Sequence, residues 1–235
     1  MKRKLIILGV LVLAVLATAI GLYRISKSRT FQFFGEIYSR VETPEKVVAL
    51  TFDDGPTKAN TDKILAILQE ENVEATFYLM GAEIEKNPGE AEKIAAAGHE
   101  LGNHTYHHER MWFVSPDFVE TEVEKTDELI KKAGYTGEIT FRPPFGKKLF
   151  VLPWYLSSTG RKTITWDVEP ETYFQKSEDM VKYSLENTRN GSIILLHVMY
   201  DNRAESMKSI QPIISGLREK GFVFKTVSEL IALKY

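Results

Sequence analysis

The chain has 235 residues with a formal net charge of −2, and 43% of it is hydrophobic and 26% charged, a composition that supports one sizeable core in a single domain. This near-neutral balance lacks the basic footprint of a nucleic-acid binder. With no cysteine in the sequence, disulfides, thiolate metal ligands, a cysteine nucleophile and an acylated lipoprotein anchor are all excluded, and any metal must be held by His, Asp or Glu.

Lys2, Arg3 and Lys4 precede an almost unbroken apolar run from Leu5 to Leu22, the pattern of an export signal. Ala17-Thr18-Ala19 fits a small-x-small cleavage site, yet the run is about long enough to cross a bilayer if retained. Arg24, Lys27 and Arg29 follow it, so basic flanks on both sides barely decide orientation. Residues 1–22 are therefore expected to be a signal peptide or a signal-anchor helix that places the rest of the chain outside the cytoplasm. Residues 23–45 are expected to be a juxtamembrane segment whose Phe31, Phe33 and Phe34 pack on the edge of a domain spanning 46–235.

From there β-branched and aromatic runs predict strands at Val47–Phe52, Thr76–Met80, Ile139–Phe141, Thr163–Trp166, Ile193–Leu196 and Phe222–Phe224, with Glu100–Gly102 a weaker candidate. Helical spacing appears at Ile64, Leu65, Ile67 and Leu68, at Phe118 to Ile130, and at Ile210, Ile213, Ile214 and Leu217. This alternation argues for an α/β fold with a parallel sheet, as a distorted, incomplete (β/α) barrel of about seven strands. In such folds reactive groups gather at the carboxyl ends of strands. The sequence obeys that rule: Asp53 and Asp54, the stretch Asn103 to His108, Arg142 to Gly146, Asp167 to Pro170 and His197 each follow a predicted strand.

Adjacent carboxylates repel and resist desolvation, a cost that a cation relieves; Asp53-Asp54-Gly55-Pro56 would also make an ordinary turn. His104 and His108 are four apart, and on a helical turn both imidazoles would face one ion. With one carboxylate they form a two-His, one-carboxylate set that leaves positions open for water and substrate, although non-haem iron oxygenases use the same set. His107 is expected to face solvent or to support the ligands, and His99 to be structural. His197 is either a satisfied core histidine or a general acid. Arg142 either pairs with the carboxylate that is not on the metal or makes a surface salt bridge of little consequence.

Thr-Phe-Asp-Asp-Gly-Pro at 51–56, His-x-x-x-His at 104–108, Arg-Pro-Pro-Phe-Gly at 142–146 and Leu-Leu-His at 195–197 resemble, in order, the motifs of polysaccharide deacetylases (carbohydrate esterase family 4, NodB-homology domain). The resemblance covers residues 47–234. It implies Asp53 as catalytic base, Asp54, His104 and His108 as ligands of a divalent metal, Arg142 orienting Asp53, and His197 as the acid that protonates the leaving amine. It also implies the Phe145 backbone N–H at the oxyanion, and Leu195 and Tyr173 around the acetyl methyl group. Zinc is the expected metal, with cobalt, manganese or nickel as alternatives. The implied activity is hydrolysis of N-acetyl groups on N-acetylglucosamine or N-acetylmuramic acid units of a cell-envelope polysaccharide; removal of O-acetyl groups and non-catalytic carbohydrate binding are the alternatives. Two positions depart from the family pattern. Thr172-Tyr173 stand where Asp-Trp is usual, so the support of His197 passes to Glu171 or Asp167, and Val198 stands where Asp usually follows the acid histidine.

Overall fold

The structure is a computed structural model and describes residues 2–234. The chain runs α1 (Lys2–Ser26), β1 (Ile37–Tyr38), β2 (Val47–Asp53), α2 (Thr61–Glu70), β3 (Thr76–Leu79), α3 (Gly81–Lys86), α4 (Glu90–Ala96) and β4 (Glu100–Asn103). It continues with α5 (Pro116–Lys132), α6 (Val151–Ser158), β5 (Thr163–Ile164), α7 (Ser177–Asn187), β6 (Ile193–His197), α8 (Ala204–Glu219), β7 (Val223–Lys225) and α9 (Val227–Ala232).

Every residue of β2 is buried, as expected of a strand covered on both faces. It pairs in parallel with β3 on one side and β6 on the other, while β7 pairs with its amino-terminal half. β3 carries β4, also in parallel. Phe141 then bridges from Asn103 to Thr163, and Val168 bridges to Ile194, so the ring closes back on β6 as a short-stranded barrel. The predicted Ile139–Phe141 strand survives only as that bridge. Pro143 and Pro144 follow at once and have no N–H to extend the ladder.

The helices bury one face each. In α5, Ser115 caps the first turn by accepting the Phe118 N–H, Pro116 opens the helix, and Val119, Val123 and Ile130 are buried, each contributing about 1.5–3 kcal/mol through burial. Ahead of β2, residues of the 23–45 stretch bond into the barrel edge: β1 pairs with β5, and the Val41 N–H donates to the Gly191 carbonyl. α1 differs from the other helices. Of its described residues only Ser26 is buried, and its length and composition suffice to cross a membrane.

Candidate active site

The β2–β6 register sets Asp53 opposite His197, and the β2–β3 register sets Asp53 opposite Tyr78, so three side chains share one row at the carboxyl end of the sheet. Tyr78 in turn lies opposite Gly102. A Cβ at Gly102 would come within 2.4 Å of the Tyr78 ring, so a glycine there gives the ring its place. Above that ring, at 4.0 Å from its centroid, sits the guanidinium of Arg142, which has no solvent exposure. Its Nη1 donates to Asp53 Oδ1 at 2.6 Å and to Thr51 Oγ1 at 2.8 Å, and its Nη2 to the Thr165 carbonyl at 3.1 Å. Burial alone would raise the pKa of Asp53, but the charges of Arg142, His104 and His197 and the Arg142 hydrogen bond outweigh it and hold the carboxyl below its usual range.

On the outer side of Asp53 stand Asp54, His104 and His108, whose ligand atoms all lie within 4.8 Å of one another. His104 Nδ1 is 2.7 Å from the Arg142 carbonyl. A donor at that position leaves Nε2 as a free acceptor, 3.9 Å from Asp54 Oδ1, an arrangement common to metal-binding histidines. His108 Nε2 is 3.4 Å from the same oxygen. Burial first, then the neighbouring His104, lowers the His108 pKa to about 4, so this imidazole is neutral at pH 7. Asp54 Oδ1 is buried with no hydrogen-bond partner among the described residues. An orphaned carboxylate oxygen facing two imidazole nitrogens suits a divalent cation.

The two histidines do not share a helical turn, contrary to the expectation from their spacing. They lie in a loop in which Thr105 and His108 both stand at positive φ, 67° and 62°. The Asn103 side chain accepts the Thr105 N–H, and Glu122, buried on α5, accepts from the Tyr106 and His107 N–H groups. Asp54 (φ 72°) and Phe145 (φ 56°) are also left-handed. Strain of about 1–3 kcal/mol at each such residue is concentrated in the loops around this one cleft. His107 is bonded to Glu122 at 2.5 Å, and His99 accepts the Ala75 N–H, so neither joins the metal cluster.

Across the cleft, His197 Nδ1 lies 2.6 Å from Glu171 Oε2, and both carboxylate oxygens of Glu171 accept the His197 N–H. Burial pushes the imidazole pKa down, but the Glu171 hydrogen bond and the charges of Asp53, Glu171 and Asp54 raise it to about 9. Asp167, the other acidic candidate for this support, is committed elsewhere: it accepts from Ser192 Oγ and the Ile193 N–H. Glu171 sits in a 3-10 turn, Pro170–Thr172, and the only sign of it in the sequence is an acidic residue in the loop after β5.

The cleft between the walls holds about 490 Å³ and is lined by Asp53, Asp54, His104, His108, Phe145, Leu195 and His197. Trp166, Glu169, Arg29 and Arg203 complete it; of these the sequence reading placed only Glu169 among the strand-end groups. Tyr173, expected beside the acetyl methyl group, is outside the lining: its ring is 62% exposed and packs on Phe174 and Tyr183. Trp166 is among the lining residues, with its Nε1 donating to Glu169 at 2.8 Å. A larger hollow of about 650 Å³, lined by Glu74, His99 and Glu229 among others, lies before the strands, on the face that in such barrels serves stability.

A family model described as "Polysaccharide deacetylase" matches residues 40–176. A peptidoglycan-N-acetylglucosamine deacetylase of Bacillus cereus is 29% identical over 204 residues, covering 86% of this chain and 95% of that protein. Among solved structures, the Bc1960 peptidoglycan N-acetylglucosamine deacetylase, in complex with 4-naphthalen-1-yl-N-oxidanyl-benzamide, superposes with a TM-score of 0.78 at 32% identity, covering 82% of this chain and 91% of that one. The wild-type BA3943 of Bacillus anthracis, a CE4 family pseudoenzyme, gives a TM-score of 0.77 at 26% identity, covering 85% and 70%.

Proposed function

The chain belongs to the polysaccharide deacetylase family, and from that premise we propose that it hydrolyses the acetamido groups of N-acetylglucosamine or N-acetylmuramic acid units in a cell-envelope polymer, peptidoglycan or chitin-like oligomers. The observation that carries the reading is the divided carboxylate pair. Asp53 is bonded to Arg142, whereas Asp54 Oδ1 has no hydrogen-bond partner among the described residues and faces His104 and His108.

Asp54, His104 and His108 would hold a divalent cation, zinc by default, with cobalt, manganese or nickel fitting the same donors. Bound there, the cation would polarise the acetyl carbonyl and acidify a water. Asp53, kept ionised by Arg142, takes a proton from the attacking water as its oxygen bonds to the acetyl carbon. The Phe145 backbone N–H donates to the developing oxyanion, and Leu195 lies against the methyl group. His197 then gives its proton to the nitrogen as the C–N bond breaks, releasing acetate and a free amine. Glu171 fixes the Nδ1–H, so it is the Nε2 proton that faces the cleft. Amines leave only when protonated, so an imidazole kept charged at neutral pH favours N- over O-deacetylation. A protein that merely bound glycan would have no use for a base and an acid held apart in this way. The site belongs to the cell envelope, with α1 as the retained membrane anchor.

The purified chain is expected to release acetate from chitooligosaccharide or peptidoglycan, measured enzymatically beside an Asp53→Asn control. Acetate release no greater than that control on any N-acetylated glycan would end the reading. The His104→Ala/His108→Ala variant is expected to lose stoichiometric metal by elemental analysis, and unchanged metal would refute the ligand assignment.

A further inference from the structure

We infer that α1 is docked so that the cleft opens along the bilayer surface, which makes an N-acetylated glycan carried on a membrane lipid its preferred substrate. The inference rests on the anchor and deacetylase readings above. At about 1.5 Å per residue the apolar run Leu5–Leu22 spans roughly 27 Å, close to the hydrocarbon thickness of a bilayer. The water boundary therefore falls at Tyr23, within the last turn of α1.

That turn leads into the catalytic loop without a flexible linker. The buried Ser26 offers its carbonyl to the Lys148 N–H at 2.9 Å, and the Ser28 carbonyl accepts from Lys148 Nζ at 2.5 Å. A lysine suits the negative end of a helix dipole. The neighbouring Lys147 ammonium is buried with no hydrogen-bond partner among the described residues; the Tyr23 ring lies 4.3 Å from it and the Trp112 ring 5.3 Å. Both lysines belong to the loop that begins with Arg142 and Phe145. Arg29, only three residues beyond Ser26, already lines the cleft and pairs with Glu169 at 2.6 Å. Tyr23 to Ser26 adds about 4.5 Å of helix and the three Cα steps beyond reach about 11 Å at most, so the wall of the cleft stands close to the membrane boundary.

Around the helix exit lies a collar of exposed aromatic residues. Phe31 and Phe33 follow α1, Phe33 stacks on Phe150 at 4.7 Å, and Trp154 lies one turn further along α6. Phe113, also exposed, adjoins Trp112, whose ring meets Tyr23 edge-on at 6.2 Å. Contiguous apolar exposure of this kind marks a contact surface, and aromatic rings flanking a membrane span favour the lipid–water interface. The occupant that fits both the collar and the helix it surrounds is the bilayer into which α1 inserts.

The test uses the full chain in phosphatidylethanolamine–phosphatidylglycerol vesicles. Brominated acyl chains are expected to quench tryptophan emission, and Trp154→Phe to lower the quenched fraction. Acetate release is compared for an N-acetylated chitooligosaccharide linked to a phospholipid in the same vesicles and for the same sugar free in solution. The linked sugar is expected to react roughly tenfold faster or more. Phe31→Ser/Phe33→Ser/Trp154→Ser is expected to slow the linked reaction severalfold and leave the free one unchanged. Absence of quenching, quenching unaltered in Trp154→Phe, equal loss on both substrates, or release of a chain cleaved after Ala19 would overturn the docking. Intact quenching with no turnover of either sugar would instead overturn the deacetylase reading and the substrate half of this inference.

Discussion

On one wall of the cleft Asp53, His104 and Arg142 are sealed from water, and the guanidinium is held by Asp53, Thr51 and the Thr165 carbonyl. On the other, His197 is part-exposed and depends on one carboxylate, Glu171, supplied by a 3-10 turn. The first wall is therefore structural and chemical at once, because removing a partner leaves a buried charge unpaired. The second is open to tuning. Changes there are expected to move rate and pH dependence while the fold stays intact.

The largest effect is expected on the buried wall. Asp53→Asn should lower acetate release by about 10²–10⁴-fold. Arg142→Ala should cost about 3–5 kcal/mol of stability, measured by urea unfolding, since it leaves the Asp53 carboxylate buried without its guanidinium partner. A wild-type midpoint in that variant would break the contrast between the walls. Glu171→Gln removes a partner that raises the His197 pKa, so it is expected to lower the urea midpoint, by less than Arg142→Ala does, and to lower kcat by about ten- to a hundredfold. Its pH profile gives the sharper readout. If His197 is the acid as proposed, it must be protonated, so activity is expected to fall as pH rises through the imidazole pKa of about 9, or lower with a cation bound nearby. Without the Glu171 charge that basic limb should move to lower pH, and a limb that stays in place would separate Glu171 from the acid. Smallest of all, Tyr173→Ala should change kcat/KM by less than about twofold, as an exposed position outside the cleft allows; a large loss would restore Tyr173 to the acetyl pocket.

Much of the site was legible because parallel strands announce themselves as β-branched and aromatic runs, and their carboxyl ends are where side chains can converge. Asp53, Asp54, His104, Arg142 and His197 all follow such runs, and the structure brings them together in one cleft. What spacing misjudged was the path between those ends. Four residues from His104 to His108 suggested a helical turn, yet Asn103 and Glu122 bind the loop backbone and hold it in left-handed conformations. The Ile139–Phe141 run looked like a full strand, but the prolines behind it leave a single bridging residue. Tyr173 and Glu171 stand two positions apart in a short loop, and no periodicity distinguishes which of them turns inward.

By itself the sequence determined the chemistry available at each strand end, since strand formation is governed by side chains near in the chain. The tertiary structure alone decided that Glu171 rather than Asp167 meets His197, that Trp166 rather than Tyr173 lines the cleft, and that Arg29 from the amino-terminal segment joins them. The physical reason is that loop conformation depends on hydrogen bonds and packing between residues far apart in the chain, as in the 2.6 Å pair of Arg29 and Glu169, and such partners leave no periodic trace in the sequence around either residue.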